Sequence, residues 1–257
     1  MTTASHPSPY EAPELYDRML EHFTDDLEFW LTEAQAANGP VLEVACGTGR
    51  VLLHLLGHGL EVDGVDLFTP MLERLRTKAA ERKLPAPKVV AADMRDFTMP
   101  RKYRRVFLAF NGFAHCEEID DQVRCLRCCR EHLEPGGALV LHMSYPSQSY
   151  WLGPEGERVL EMEVPRAEGG MTRMWDTRTK HRITQRQESL TEIEETDAAG
   201  AVLRTDGFRV SQRWVYRFEL ELLFRTAGFT RWDVRGGFAR EPLERDDQQM
   251  LAFAWRD

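Results

Sequence analysis

Three carboxylates recur at similar places in this chain: Glu43 inside the apolar run Val41 to Val44, Asp66 at the close of Leu60 to Val65, and Asp93 just past Lys88 to Ala92. Between the first two lies Gly47-Thr48-Gly49-Arg50. Two glycines at that spacing let the backbone turn from strand to helix and let a ligand approach the main chain. The helix start then offers unpaired N–H groups and a positive dipole end to a carboxylate or phosphate. Glu43, four residues before Gly47, suits a ligand that carries an ammonium beside its carboxylate. Asp66, about 20 residues past the turn, has two oxygens for the two hydroxyls of a ribose. Asp93 is placed to accept from an exocyclic adenine amine, with Met94 or Leu67 over the ring. Singly, each acid is as well explained by a helix cap or a solvated loop; together they describe one site. A dinucleotide fingerprint is disfavoured because Leu52 stands where its third glycine belongs, and no Gly-Lys-Ser/Thr follows for a P-loop.

The elements that must position these groups follow from periodicity. Leu15, Met19, Leu20, Phe23, Leu27, Trp30 and Leu31 recur at helical spacing between Tyr10 and Ala37, predicting one or two helices before the glycine turn. Residues 1–9, with Ser, Thr and two prolines, are expected to form a mobile tail. Helices are predicted over Val51–His58, Pro70–Arg82, Asp121–Leu133 and Arg217–Ala227. Strands are predicted over Val41–Val44, Leu60–Val65, Lys88–Ala92, Arg105–Phe110, Ala138–Met143, Phe229–Val234 and Met250–Trp255. Strands that alternate with helices predict an α/β fold with a parallel sheet and a ligand at the strands' carboxyl ends. From Tyr145 to Trp214, β-leaning segments separated by glycine-containing breaks read as an antiparallel insertion. The resulting division is a tail with lid helices (1–37), a core (38–144 and 215–257) and a β-rich insertion (145–214).

The succession VLEVACGTGR, VDGVDLFTPML, AADMRDF, FNGF and LEPGGALVLH resembles the ordered motifs of class I S-adenosylmethionine-dependent methyltransferases over roughly residues 10–143, and LLFRTAGF with the last two strands also matches. Glu43, Ala45, Gly47 and Gly49 stand in the family's E/D-x-G-x-G-x-G, with Ala45 replacing the first glycine. The resemblance implies a Rossmann-like seven-stranded sheet of order 3-2-1-4-5-7-6 with its last strand antiparallel, S-adenosyl-L-methionine as cofactor and S-adenosyl-L-homocysteine as product. It implies that Gly47 and Gly49, with Ala45, Cys46, Thr48 and Arg50, lie against the methionine part and that Glu43 binds near its amino group. Asp66 then takes the ribose, Asp93 and Met94 meet the adenine, and Leu67, Met71, Phe110 and Asn111 are further cofactor contacts. Tyr10, Tyr16 and Asp17 are similar to the start of the small-molecule branch that includes glycine, aminosugar and toxoflavin-type N-methyltransferases. There this segment folds over the cofactor, so Tyr16 is read either as plain helix packing or as a group at the sulfonium. Trp30 is read as core or as a cofactor contact. The insertion, in that branch, caps the substrate pocket and often mediates oligomerisation.

His115, five residues beyond Phe110, is the candidate for taking the acceptor's proton or orienting it; the competing reading is a surface histidine that begins a helix. Gly112 permits close approach. Tyr145, Trp151 and Trp175 are candidates for an aromatic substrate wall, or for packing in the insertion. His142, inside an apolar strand, reads as a core histidine.

Composition limits the alternatives. With 257 residues, 42% hydrophobic and 29% charged, the chain can bury one sizeable core. A net charge of −9 argues against nucleic acid as the main partner and for a small-molecule substrate. No apolar run reaches membrane-span length and no signal-peptide layout is seen, so a cytoplasmic setting without membrane contact is expected. Five cysteines suggest reduced thiols. Cys125, Cys128 and Cys129 sit in a helical stretch without a zinc-spaced partner pair, so they read as packing, and no metal is expected. The reading is a methyltransferase acting on a nitrogen or oxygen of a small molecule. A scaffold that keeps only the fold and an NAD-dependent oxidoreductase are the alternatives.

Overall fold

The computed structural model describes residues 8–20 and 23–257. Most of the expected tail, and positions 21 and 22 of the expected N-terminal helical stretch, lie outside these residues. Pro9–Glu11 is a 3-10 turn rather than tail, begun by Ser8, whose side chain accepts the Tyr10 N–H. The chain then runs α1 (Pro13–Leu20), α2 (Leu27–Ala37), β1 (Val41–Val44), α3 (Arg50–Gly57), β2 (Val62–Asp66), α4 (Thr69–Glu81), β3 (Lys88–Ala91), β4 (Tyr103–Leu108), a 3-10 turn at Gly112–His115, α5 (Ile119–His132) and β5 (Leu133–Ser144). A short α6 (Gln148–Leu152) leads to β6 (Arg158–Pro165), β7 (Met171–His181), β8 (Arg186–Thr196) and β9 (Val202–Arg213). α7 (Arg217–Ala227), β10 (Arg231–Gly236), β11 (Glu241–Pro242) and β12 (Gln249–Trp255) follow.

The main sheet has the order β3-β2-β1-β4-β5-β12-β10-β11, with β12 antiparallel to both neighbours and β1 to β5 parallel. This is the expected seven-strand order with a two-residue edge strand added. Side chains divide by the strand period of two. Val41, Phe107, Val140, Leu251 and Phe253 join the cluster under α2, α3 and α4. Their neighbours Leu42, Val106, Leu139, Leu141 and Ala252 join the cluster under α5 and α7. The five cysteines are buried free thiols, and Cys125, Cys128 and Cys129 belong to this second cluster. β5 starts earlier than predicted, passing through Pro135-Gly136-Gly137, because the β4–β5 ladder shifts register between Tyr103 and Arg105 and absorbs the extra residues. α6 and β11 are too short to show a period and were not foreseen.

β6 to β9 form a separate four-stranded antiparallel sheet in sequential order. α1 is wedged between the two sheets. On one side Asp17 accepts from Lys78 Nζ (2.6 Å), Thr48 Oγ1 (2.6 Å) and Arg74 Nε (2.8 Å), tying α1 to α4 and the glycine turn. Burial pushes the Asp17 pKa up, but these bonds outweigh it and leave it below the ordinary value. On the other side Arg18 pairs with Glu195 and Asp206, and Leu15 and Met19 pack on Ile193, Phe208 and Val210. Trp30 is a correction to the cofactor reading. It is fully buried between Phe29 and Phe107 and gives its N–H to Asp26 at 2.9 Å, because the apolar stripe of α2 turns it into the core.

Ala45 has a left-handed backbone, φ +57°. A side chain there costs about 1 kcal/mol, which a glycine avoids. Ala45→Gly is therefore expected to raise Tm by about 2–4 °C for each kcal/mol recovered in a chain of this size. Calorimetric scans of both proteins measure it, and an unchanged or lower Tm would mean that the turn carries no such strain.

Candidate active site

A cavity of about 740 Å³ opens at the carboxyl ends of β1, β2 and β4, bounded by the segment around Tyr10 and Tyr16, the start of α4 and one face of the four-stranded sheet. Tyr10, Tyr16, Glu43, Ala45, Cys46, Gly47, Thr48, Arg50, Asp66, Leu67, Met71, Asp93, Met94, Phe110, Asn111, Gly112, His115 and Tyr145 all line it. Four sequence candidates do not: Trp30, Gly49, Trp151 and Trp175.

Gly49 is displaced by packing. Its φ is +81°, and a Cβ there would lie 2.6 Å from Leu75 Cγ, so this glycine lets α4 close on the turn. Gly47, at φ +54°, is open to the cavity, where a Cβ would meet only Met71 and Tyr16 at ordinary contact. The turn is clamped by Asp66, whose Oδ2 accepts the Gly47 N–H at 2.7 Å while Oδ1 accepts the Phe68 N–H at 2.9 Å. Each oxygen keeps a lone pair, so two further donors can be held. Burial raises the Asp66 pKa against the pull of those bonds.

Glu43 is buried at the same wall, and its Oε2 has no hydrogen-bond partner among the described residues. Burial pushes its carboxyl up to about 8, although the nearby Arg50 pulls the other way. Arg50 is itself committed: it pairs with both oxygens of the buried Asp26 and lies against the paired rings of Phe23 and Phe110. Asp93 lines the wall but is gripped by Arg95, through Nε at 2.8 Å and NH2 at 2.5 Å, which holds its pKa below the usual range. Its free lone pairs are what remain for the expected adenine amine.

Across the cavity the Tyr10 hydroxyl meets His115 Nε2 at 2.8 Å, and the Tyr10 ring packs on Phe68 and near Tyr16. Burial pushes the His115 pKa down to about 4, with the Ser211 backbone opposing. This corrects the expectation of a histidine poised near neutrality: the ring is neutral at physiological pH. Tyr16 is half-buried beside Gly47, and desolvation with the nearby Asp66 raises its pKa. Phe110 and Asn111 both have positive φ, and Asn111 is braced by the Ser144 N–H on its Oδ1 at 2.7 Å.

The opposite wall was missed in the sequence. Alternation along β7, β8 and β9 turns Met174, Asp176 and Arg178, then Gln187, Ser189 and Thr191, then Phe208, Val210 and Gln212 toward the cavity. Tyr150 and Trp214 flank them. Trp151 instead packs in the core and bonds the Tyr216 hydroxyl at 2.8 Å. Trp175 lies one residue out of register with the cavity-facing set, under the Arg158 guanidinium. No cluster suited to a metal ion occurs among the described residues.

An open glycine turn, a buried carboxylate oxygen without a partner and a half-used aspartate are complementary to an adenosyl amino acid. The family model described as "Methyltransferase domain" matches residues 41–137. Over 98% of this chain and 99% of the relative, the sequence is 29% identical to a cypemycin N-terminal methyltransferase from a Streptomyces species. Residues 41–137 are a methyltransferase domain, and the protein is an S-adenosylmethionine-dependent methyltransferase with the class I fold. Its fold is similar to the CcbJ methyltransferase of Streptomyces caelestis (TM-score 0.73, 25% identity, 91% of each chain). It is also similar to an amino pentose methyltransferase of Micromonospora echinaspora solved with S-adenosylmethionine bound (TM-score 0.71, 21% identity, 98% of this chain and 99% of that one).

Glu43 yields a pH test. In the free methyltransferase its carboxyl keeps a proton below about 8, and an ammonium needs the ionised form. S-adenosylhomocysteine affinity is expected to rise with pH, by at most about tenfold per unit, and to level off above about 8. Calorimetry in buffers of different ionisation enthalpy should show proton release that disappears in Glu43→Gln. A flat profile in the wild type would remove Glu43 from the ammonium contact.

Proposed function

We propose that this methyltransferase transfers a methyl group to an amine nitrogen of a small molecule or of a peptide's N-terminus. The observation that carries the reading is the two-walled cavity, with Glu43, Gly47 and Asp66 on one side and a polar sheet face on the other. The activity of its full-length relative, N-terminal methyl transfer to cypemycin, supports a nitrogen acceptor. In this reading Gly47, Glu43 and Asp66 hold the amino-acid and ribose parts of the cofactor, and Asp93 with Met94 meets the adenine. Residues 8–20 act as a lid, and β6 to β9 cap the acceptor. When bound, S-adenosylmethionine supplies an electrophilic methyl carbon on a sulfonium.

An amine attacks only when neutral. The burial that keeps His115 uncharged also disfavours an ammonium in the same cavity, so the site promotes the reactive form before any base acts. His115 Nε2 holds the Tyr10 hydroxyl, whose oxygen keeps a lone pair to position the amine, so the pair orients the acceptor rather than acting as a strong base. Closure by Tyr10 and Tyr16 excludes water.

Two measurements test this. Incubation with S-adenosylmethionine and a panel of amines and alcohols is expected to give S-adenosylhomocysteine and a methylated amine, detected by mass; turnover of alcohols alone would overturn the nitrogen reading. His115→Ala is expected to lower kcat about 10–100-fold, the cost of a misplaced acceptor, with S-adenosylhomocysteine affinity little changed. Equal losses in both would put His115 against the cofactor instead, and no loss would make it structural.

A further inference from the structure

The cavity-facing side of the four-stranded sheet holds a chain of hydrogen bonds whose protons are all spent inward. Gln187 Nε2 donates to Ser189 Oγ at 2.6 Å, Ser189 Oγ donates to Asp176 Oδ2 at 3.3 Å, and Thr191 Oγ1 donates to Asp176 Oδ1 at 3.3 Å. Arg178 Nε adds a third donor to Asp176 at 2.7 Å. What this network leaves over is acceptors. Gln187 is 6% exposed, and its carbonyl oxygen is buried with no hydrogen-bond partner among the described residues. Its amide is held in that orientation by Ser189, so the vacancy is built into the wall. An unmet buried acceptor costs about 1–3 kcal/mol, and a ligand donor that meets it recovers that cost.

Charge narrows the donor. Asp176 already has a guanidinium against it, so a cation would have to compete with Arg178, whereas a hydroxyl needs only free lone pairs. Beside the network Tyr150 and Trp214 line the same cavity, joined by a bond from Trp214 Nε1 to the Tyr150 hydroxyl at 3.1 Å, and supply apolar ring surface. Planar polar groups next to aromatic faces suit a ring that carries hydroxyls on its edge and C–H groups on its face.

We propose that Asp176 and Gln187, with Ser189 and Thr191, form a specificity subsite that binds the hydroxyl groups of an uncharged, polyhydroxylated part of the acceptor. The proposal rests on the N-methyl transfer reading for the term "acceptor", while the subsite itself can be tested by binding alone.

The test compares 3-amino-3-deoxyglucose with cyclohexylamine, which share a six-membered ring and a primary amine and differ in hydroxyls, by calorimetry on the protein loaded with S-adenosylhomocysteine. The aminohexose is expected to bind at least about tenfold tighter. Gln187→Met and Asp176→Asn are each expected to remove most of that advantage, as for a site built to bond a hydroxyl. Unchanged S-adenosylhomocysteine affinity in each variant verifies that the cavity is intact. Equal affinities in the wild type would overturn the subsite, as would an advantage that survives both variants or tightest binding by the hydroxyl-free 1,4-diaminocyclohexane. The two readings fail separately. A binding advantage that persists while no amine is methylated supports the subsite and overturns the transfer reading; equal turnover of both amines does the reverse.

Discussion

The site hangs on one buried ion pair. Arg50 is the first residue of α3, where its charge faces the positive end of the helix dipole, an unfavourable place for a cation. It is held there by Asp26, fully buried at the start of α2, which takes the guanidinium on both oxygens and the Trp30 N–H as well. Removing one partner of such a pair costs about 3–5 kcal/mol because the other is left buried and uncompensated. The rings of Phe23 and Phe110 close over the guanidinium. The N-terminal segment, the glycine turn and the end of β4 are therefore registered to one another at a single point. The consecutive positive φ values of Phe110 and Asn111 are sustained by that packing and by bonds from β5: the Phe110 N–H is accepted by His142 Nδ1, and Asn111 is bonded by Ser144.

Much of the cofactor-facing half was readable from residue order. Val41 to Val44, Leu60 to Val65 and Lys88 to Ala92 are short segments rich in aliphatic residues, the first two buried within the sheet and the third an exposed edge, and each is followed by an acid or a glycine turn. The rule that ligands meet the carboxyl ends of such strands then gathers Glu43, Asp66 and Asp93 without further information. Order does not show what each acid is already doing. The grip of Arg95 on Asp93, and the clamp of Asp66 on Gly47, depend on side-chain geometry that no spacing encodes. The difference between Gly47 and Gly49 has the same origin, since only packing against Leu75 turns the second glycine away from the cavity.

The acceptor-facing half was hidden for a different reason. β8 reads Arg-Gln-Glu-Ser-Leu-Thr-Glu-Ile-Glu, polar on both faces, so alternation establishes a strand but cannot say whether Gln187, Ser189 and Thr191 or Glu188, Glu192 and Glu194 look inward. Trp175 failed on the same point, being one residue out of phase with Met174 and Asp176. His115 shows the limit for electrostatics. Its place after β4 was clear, but its loss of basicity comes from burial, which outweighs the opposing Ser211 backbone and involves Tyr10, about a hundred residues away in sequence.

The topology bears on biosynthesis. β12 sits between β5 and β10, yet it is the last of the three to be made, so the edge of β5 stays unpaired while the intervening hundred or so residues leave the ribosome. Met250 to Ala254, which fill that gap, are among the most apolar of the strands and are buried once in place. An open β5 edge and a late hydrophobic strand are what intermolecular strand pairing requires. Emergence of β12 is therefore the event that removes the chain from the aggregation-prone pool, and chaperone dependence during synthesis should be set by this interval rather than by the total size of the protein.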